Sequence, residues 1–104
     1  MILSNIETIP GSEITRHIGL VQGNTVRAKH VGRDLMAGLK NIVGGELRGY
    51  TELLEDARKE ATARMIEAAQ IRGANAIVNV RFSTSAITNG ASELYVYGTA
   101  VVIA

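Results

Sequence analysis

The chain predicts an α+β fold: a small two-layer domain with one long helix packed on a mainly antiparallel sheet. Three observations carry this. From Tyr50 to Arg72, apolar residues recur at steps of three and four, which is one face of an α-helix. On either side of that stretch, Ile14–Ala28, Ala76–Phe82 and Glu93–Ile103 carry the β-branched residues and the flanking turn residues of strands. The helical stripe is rich in alanine, so the helix axis can lie close to its partner, and a sheet is the partner the remaining segments supply.

Taken in order, Met1–Ser4 reads as a short edge strand and Pro10-Gly11 as a turn. Ile14, Ile18 and Leu20 fall at even spacing, as in a half-buried strand, with His17 on the alternate face. Val21 and Val26 break this alternation, and Gly19 and Gly23 mark bulges or close backbone approach, so Ile14–Ala28 is one bent strand or two short ones. Asp34 caps a shorter helix with Leu35, Met36, Leu39, Ile42 and Val43 on one face, ended by Gly44-Gly45.

In the long helix, Thr51 is the expected N-cap, because its hydroxyl can accept a hydrogen bond from a free N–H of the first turn. Glu52, Glu55 and Asp56 follow, where the helix dipole favours carboxylates. The stripe is Leu54, Ala57, Ala61, Met65 and Ala68, widened by Leu53 and Ala69. Glu55 with Lys59, and Glu60 with Arg64, are opposite charges one helical turn apart. Gly73 ends the helix. The next strand is expected to set Ala76, Val78, Val80 and Phe82 on one side. Ser83–Ser92 reads as a polar connection whose Asn89-Gly90 suits a hairpin. Glu93–Ile103 is apolar on both faces, which predicts a central or interface strand.

The 104 residues fit a single domain, 1–104, with a modest core. No stretch approaches the roughly 20 apolar residues of a membrane span, and the first residues lack the pattern of a signal peptide. The expectation is a cytoplasmic protein with no membrane partner. A net charge of +1 and a 4% aromatic content argue against nucleic acid as a partner. With no cysteine, disulfides and thiolate metal sites are excluded.

The chain carries no nucleophile–base motif and no phosphate-binding loop. Ser83 and Ser85 lie in a small-residue segment that reads as a loop. Candidate metal ligands are His17, His30 and Asp34, with Glu46 as a further oxygen donor. The two histidines are thirteen residues apart, which is no short ligand motif, but a metal site can assemble across subunits with Glu46 or Asp34 as oxygen ligands. Gly44-Gly45-Glu46 is a helix stop that can also open a glycine-lined mouth with one carboxylate. Arg16, Arg27, Lys29, Arg33, Lys40 and Arg48 make the first half locally basic, which suits a small anion.

Five motifs, in order, resemble the YbjQ family: Gly19-Leu20-Val21-Gln22-Gly23, Gly44-Gly45-Glu46, Tyr50-Thr51-Glu52-Leu53-Leu54, Gly73-Ala74-Asn75-Ala76-Ile77 and Tyr97-Gly98-Thr99-Ala100-Val101. Together they span nearly the whole chain. The resemblance implies a dodecin-like β-α-β-β subunit assembled as a ring, typically a pentamer, and a heavy-metal-binding description with no established biochemical role. It supplies no catalytic residues.

The leading expectation is therefore a non-enzymatic homo-oligomer, pentamer favoured, that binds a small ligand or metal ion at subunit interfaces. Glu46, Tyr50 and Arg16 are the ligand-binding candidates, and the cofactor is left unnamed. The alternative is an enzyme whose site forms only at subunit interfaces of the ring, using Glu46, Tyr50 or His17. A third reading is a purely structural ring or scaffold.

Overall fold

The structure, a computed structural model, describes residues 1–28, 48–88 and 91–104. Its elements are β1 (Ile2–Leu3), β2 (Ile14–Ala28), α1 (Arg48–Ile71), β3 (Ala76–Thr88) and β4 (Ala91–Ile103). The strands form one sheet in the order β1-β3-β4-β2. β4 pairs antiparallel with both neighbours, and only the short β1 runs parallel, against β3. β2, α1, β3 and β4 thus follow the β-α-β-β order, and β4 is central, as its two apolar faces require. The shorter helix expected after Asp34, the Gly44-Gly45-Glu46 stop and Asn89-Gly90 lie outside the described residues.

Helix α1 begins at Arg48, three residues before Thr51, so Thr51 sits within the first turn and is not the N-cap; that turn holds no acidic residue. The C-terminal expectation holds in detail. Gly73 takes φ +87°, its N–H donates to Gln70 O at 3.0 Å, and the Ala74 N–H donates to Ala69 O at 3.0 Å. That pair of bonds is a Schellman cap, which satisfies carbonyls the last turn would otherwise leave open. Ala57, Ala61, Met65 and Ala69 are fully buried along one face. Glu60 and Arg64 pair at 2.6 Å, while Lys59 has no ion-pair partner among the described residues.

The alanine stripe lets the helix backbone reach the sheet. At Gly23 an added Cβ would lie 2.0 Å from Ala61 O and 2.6 Å from Met65 N. Gly23 is therefore a point of close backbone approach inside a continuous strand and makes no turn with Asn24. Beside it, the buried Thr25 hydroxyl donates to Ala57 O at 3.3 Å, which satisfies a polar group the core would otherwise orphan.

Bulges decide which side chains face the helix. β2 is one strand with two register shifts, between Ile14 and Arg16 and between His17 and Gly19. The second shift turns Leu20 outward, 63% exposed, while Val21 enters the core. β3 is shifted between Val78 and Arg81, where Asn79 adopts φ 54°. Asparagine is among the few non-glycine residues that accept this left-handed conformation at modest cost. The expected single row Ala76, Val78, Val80, Phe82 is consequently split. Ile77 and Val80 join Val21, Met65, Val96 and Ala100 under the helix. Ala76 and Val78 face the other way and, with Val101, are covered by Ile9. A turn at Pro10-Gly11, with Gly11 at φ +84° and the Ser12 N–H donating to Ile9 O at 3.0 Å, holds Ile9 there.

The segment Ser83–Thr88 belongs to β3 and is not a loop. It pairs with β4 from Ser83–Tyr95 to Thr88–Ala91. Its serines alternate with residues on the opposite face, a period-2 pattern that their small polar character hides.

Candidate functional site

Beyond the patch covered by Ile9, none of the described elements lies over the sheet face away from α1. Register places Leu20, Gln22, Asn24 and Val26 of β2 there, beside Tyr95, Tyr97 and Thr99 of β4. The two tyrosine rings stack with centroids 5.3 Å apart. The Tyr95 hydroxyl donates to Gln22 Oε1 at 2.6 Å, and Asn24 Nδ2 donates to Glu93 Oε2 at 2.9 Å. Leu20 and Val26, 63% and 52% exposed, flank this polar centre.

Strand β2 is an edge, and an edge exposes a row of backbone groups that invites pairing with another strand. Two arginines, Arg64 of α1 and Arg72 just beyond its end, occupy part of that row. Arg72 donates to Leu20 O at 2.9 Å and Ile18 O at 3.0 Å, and Arg64 donates to Asn24 O at 2.6 Å. At the other edge, the Asn79 and Val80 N–H groups donate to Ile6 O and Ser4 O, both at 2.9 Å.

On the helix side of that second edge, Phe82 stands 51% exposed between two shallow grooves. One, of about 430 Å³, runs against α1 along Arg58, Lys59, Ala63 and Ile66. The other, of about 520 Å³, is lined by Leu3, Ile6, Pro10 and Val80. Leu3 and Ile6 are themselves exposed. Arg58 and Lys59 have no ion-pair partner among the described residues.

The residues singled out from sequence are scattered. Arg16 is exposed and lies on the helix side, where its Nη2 would be 3.8 Å from a Cβ at Gly73. His17 is exposed and, paired with Val101, faces the opposite side. Tyr50 is in the first turn of α1, roughly 30 Å of helix from the Gly73 end. Arg16 and Tyr50 therefore belong to opposite ends of the domain. Glu46, His30 and Asp34 lie outside the described residues. Among the described residues no three His, Asp or Glu side chains cluster to hold a metal. Met65 is fully buried in the core, so its sulfur is not available as a ligand. The other described methionine, Met1, is exposed, and one thioether without a second sulfur beside it is a poor site for a soft heavy metal. Strict alternation along β3 hides the Phe82 grooves, because the row Ala76, Val78, Val80, Phe82 is broken at the bulge; the mid-strand Asn79 is the residue that signals the break.

The fold and surface define a class: a small two-layer α+β domain with exposed apolar side chains at both sheet edges. The chain belongs to the YbjQ family, whose model, described as "Putative heavy-metal-binding", matches residues 1–104. It is 70% identical over 103 residues to a UPF0145 protein of Hahella chejuensis, covering 99% of each chain. It is 68% identical over 95 residues to UPF0145 protein ACIAD2946 of Acinetobacter baylyi, covering 91% of this chain and 88% of that one. Among solved structures, a Pediococcus pentosaceus protein of unknown function from the DUF74 family shares the fold, with TM-score 0.69 at 14% identity, covering 100% of this chain and 98% of that chain. No helix among the described residues is long and apolar enough to cross a membrane.

Proposed function

We propose that this chain is a non-catalytic cytoplasmic homo-oligomer, in its favoured form a ring of five, that holds a small ligand or metal ion where subunits meet. The observation that carries the reading is the exposed apolar surface at both sheet edges: Leu20 and Val26 at one, Phe82 with Leu3 and Ile6 at the other. A soluble monomer gains nothing from leaving such side chains in water, whereas an interface buries them. The separation of Arg16 from Tyr50 supports the same reading, since a site using both needs two subunits. Sedimentation at micromolar concentration is expected to give a species of about five chain masses. A monomer under those conditions overturns the proposal.

The ion chemistry follows from the ligands the chain possesses. Soft ions such as Cu(I) prefer sulfur, and this chain has no cysteine; its only sulfur residues are Met1, Met36 and Met65, of which Met65 is core-bound. A borderline ion such as Zn²⁺ or Ni²⁺ suits His17, His30 and Asp34 brought together from neighbouring subunits. Titration calorimetry is expected to find no tight Cu(I) binding, and weak zinc binding that disappears in His17→Ala or His30→Ala. Tight Cu(I) binding by the wild type contradicts the first expectation. Zinc binding that survives loss of both histidines contradicts the second.

A further inference from the structure

We propose that the Phe82 grooves seat a long-chain carboxylate, with its head at Arg58 and Lys59 and its tail laid past Phe82 toward Leu3. This rests on the ligand-holding part of the reading above and names the class of ligand. Both walls of the groove come from one chain.

The groove exists because one helix covers too little sheet. A helix is about 10 Å across and strands lie about 4.8 Å apart, so α1 roofs roughly two strands. It lies over β2 and β4 and leaves the helix side of β3 nearly bare. Val80 and Phe82 stand on that side, Val80 half-buried at the margin of the core and Phe82 in the open. The facing wall is the α1 row Arg58, Lys59, Thr62, Ala63 and Ile66, spaced by threes and fours along one helix face. Thr62 and Phe82 line both hollows, so the two meet at that pair.

Charge is confined to one end of the groove. Arg58 and Lys59 lie one turn before Thr62, exposed and without an ion-pair partner among the described residues. Glu55 lines the same end, which leaves it one net positive charge. Beyond Phe82 no charged side chain among the described residues lines the second hollow. Its apolar track passes Val80 to Ile6 and Leu3. Strand pairing orders these residues: the Asn79 N–H donates to Ile6 O, and Leu3 is in register with Ile77. From Phe82 to the level of Ile77 the track is roughly 16 Å long. Ser4 and Asn5 also line it, but Ser4 Oγ already donates to Thr8 O at 2.9 Å and Asn5 O already accepts from Arg81.

That polarity selects the ligand. A small inorganic anion would leave the apolar track in water. A neutral hydrocarbon would gain nothing from the two cations. A partner helix carries its charges along its flanks and not at one tip. An anion with one charged head and one unbranched apolar tail matches both ends of the groove.

The probe is decanoate, kept below its micellar concentration and titrated calorimetrically into the full chain, with decanol and acetate as controls for tail and head. Decanoate is expected to bind once per chain, decanol about tenfold more weakly, and acetate not at all. Arg58→Gln combined with Lys59→Gln is expected to abolish the preference for decanoate over decanol. Ala63→Trp, at an exposed position of the groove wall, is expected to block both ligands. Equal binding of decanoate and decanol by the wild type, or decanoate binding that survives Ala63→Trp, overturns the inference. So does binding to phosphatidylglycerol vesicles without binding of monomeric decanoate, which marks a membrane-docking surface instead. Sedimentation separates this from the reading above. An oligomer that takes no decanoate overturns the ligand and leaves self-association standing; a monomer that takes it overturns the ring and leaves the ligand standing.

Discussion

Gly23→Ala is expected to destabilise the protein by about 3 kcal/mol or more and to lower its melting temperature by roughly 12 °C or more. In most strands the same change is neutral or helpful, because alanine restricts the unfolded chain and glycine does not. Here the new methyl would fall 2.0 Å from Ala61 O and 2.6 Å from Met65 N. Both atoms are helix backbone and cannot rotate aside. Relief requires α1 to lift from the sheet, which loosens the buried row Ala57, Ala61, Met65 and Ala69 together. Because the clash is with the backbone of residue 61, Ala61→Gly does not rescue it. Thermal or urea unfolding of the variant decides the matter; an unchanged midpoint means the helix does not approach β2 at Gly23.

Ala61→Glu is expected to give no folded protein. The cost here is electrostatic as well as steric. Ala61 is fully buried over Gly23 and beside Val21 and Met65, so a carboxylate there has apolar neighbours and no water. The nearby cation, Arg64, already serves Glu60 and the Asn24 carbonyl. An unpaired buried charge costs several kcal/mol, comparable with the roughly 5–15 kcal/mol that holds a domain together. Far-ultraviolet circular dichroism and sedimentation of the variant report the outcome. A folded protein with an unchanged melting temperature would place the buried stripe on another face of the helix.

The comparison of those positions with neighbouring ones shows what local spacing can and cannot encode. The stripe Ala57, Ala61, Met65, Ala69 and the stop at Gly73 are legible in the chain, because a helix ties face to residue number through a fixed 3.6-residue turn. The central position of β4 is legible for a similar reason: a strand apolar on both sides needs cover on both sides. The start of the helix is less so. Thr51 is a good capping residue wherever it stands, yet the backbone carries the helix back to Arg48.

Strand faces depend on register, and one inserted residue reverses them. The bulge at Asn79 separates Phe82 from Ala76 and Val78, whose side it was expected to share, and sets it at the rim of two grooves, and the shift before Gly19 turns Leu20 out to solvent. The pairing partners that impose those shifts are distant in the chain, so no local count of residues reveals them. The candidate site follows the same division. That the chain lacks thiolate ligands, and that its histidines are thirteen residues apart, is read from the sequence. That Arg16 and His17 face opposite sides, and that Arg16 and Tyr50 lie at opposite ends of the domain, is decided by the tertiary structure, because adjacent strand residues point in opposite directions and a helix of 24 residues separates its ends.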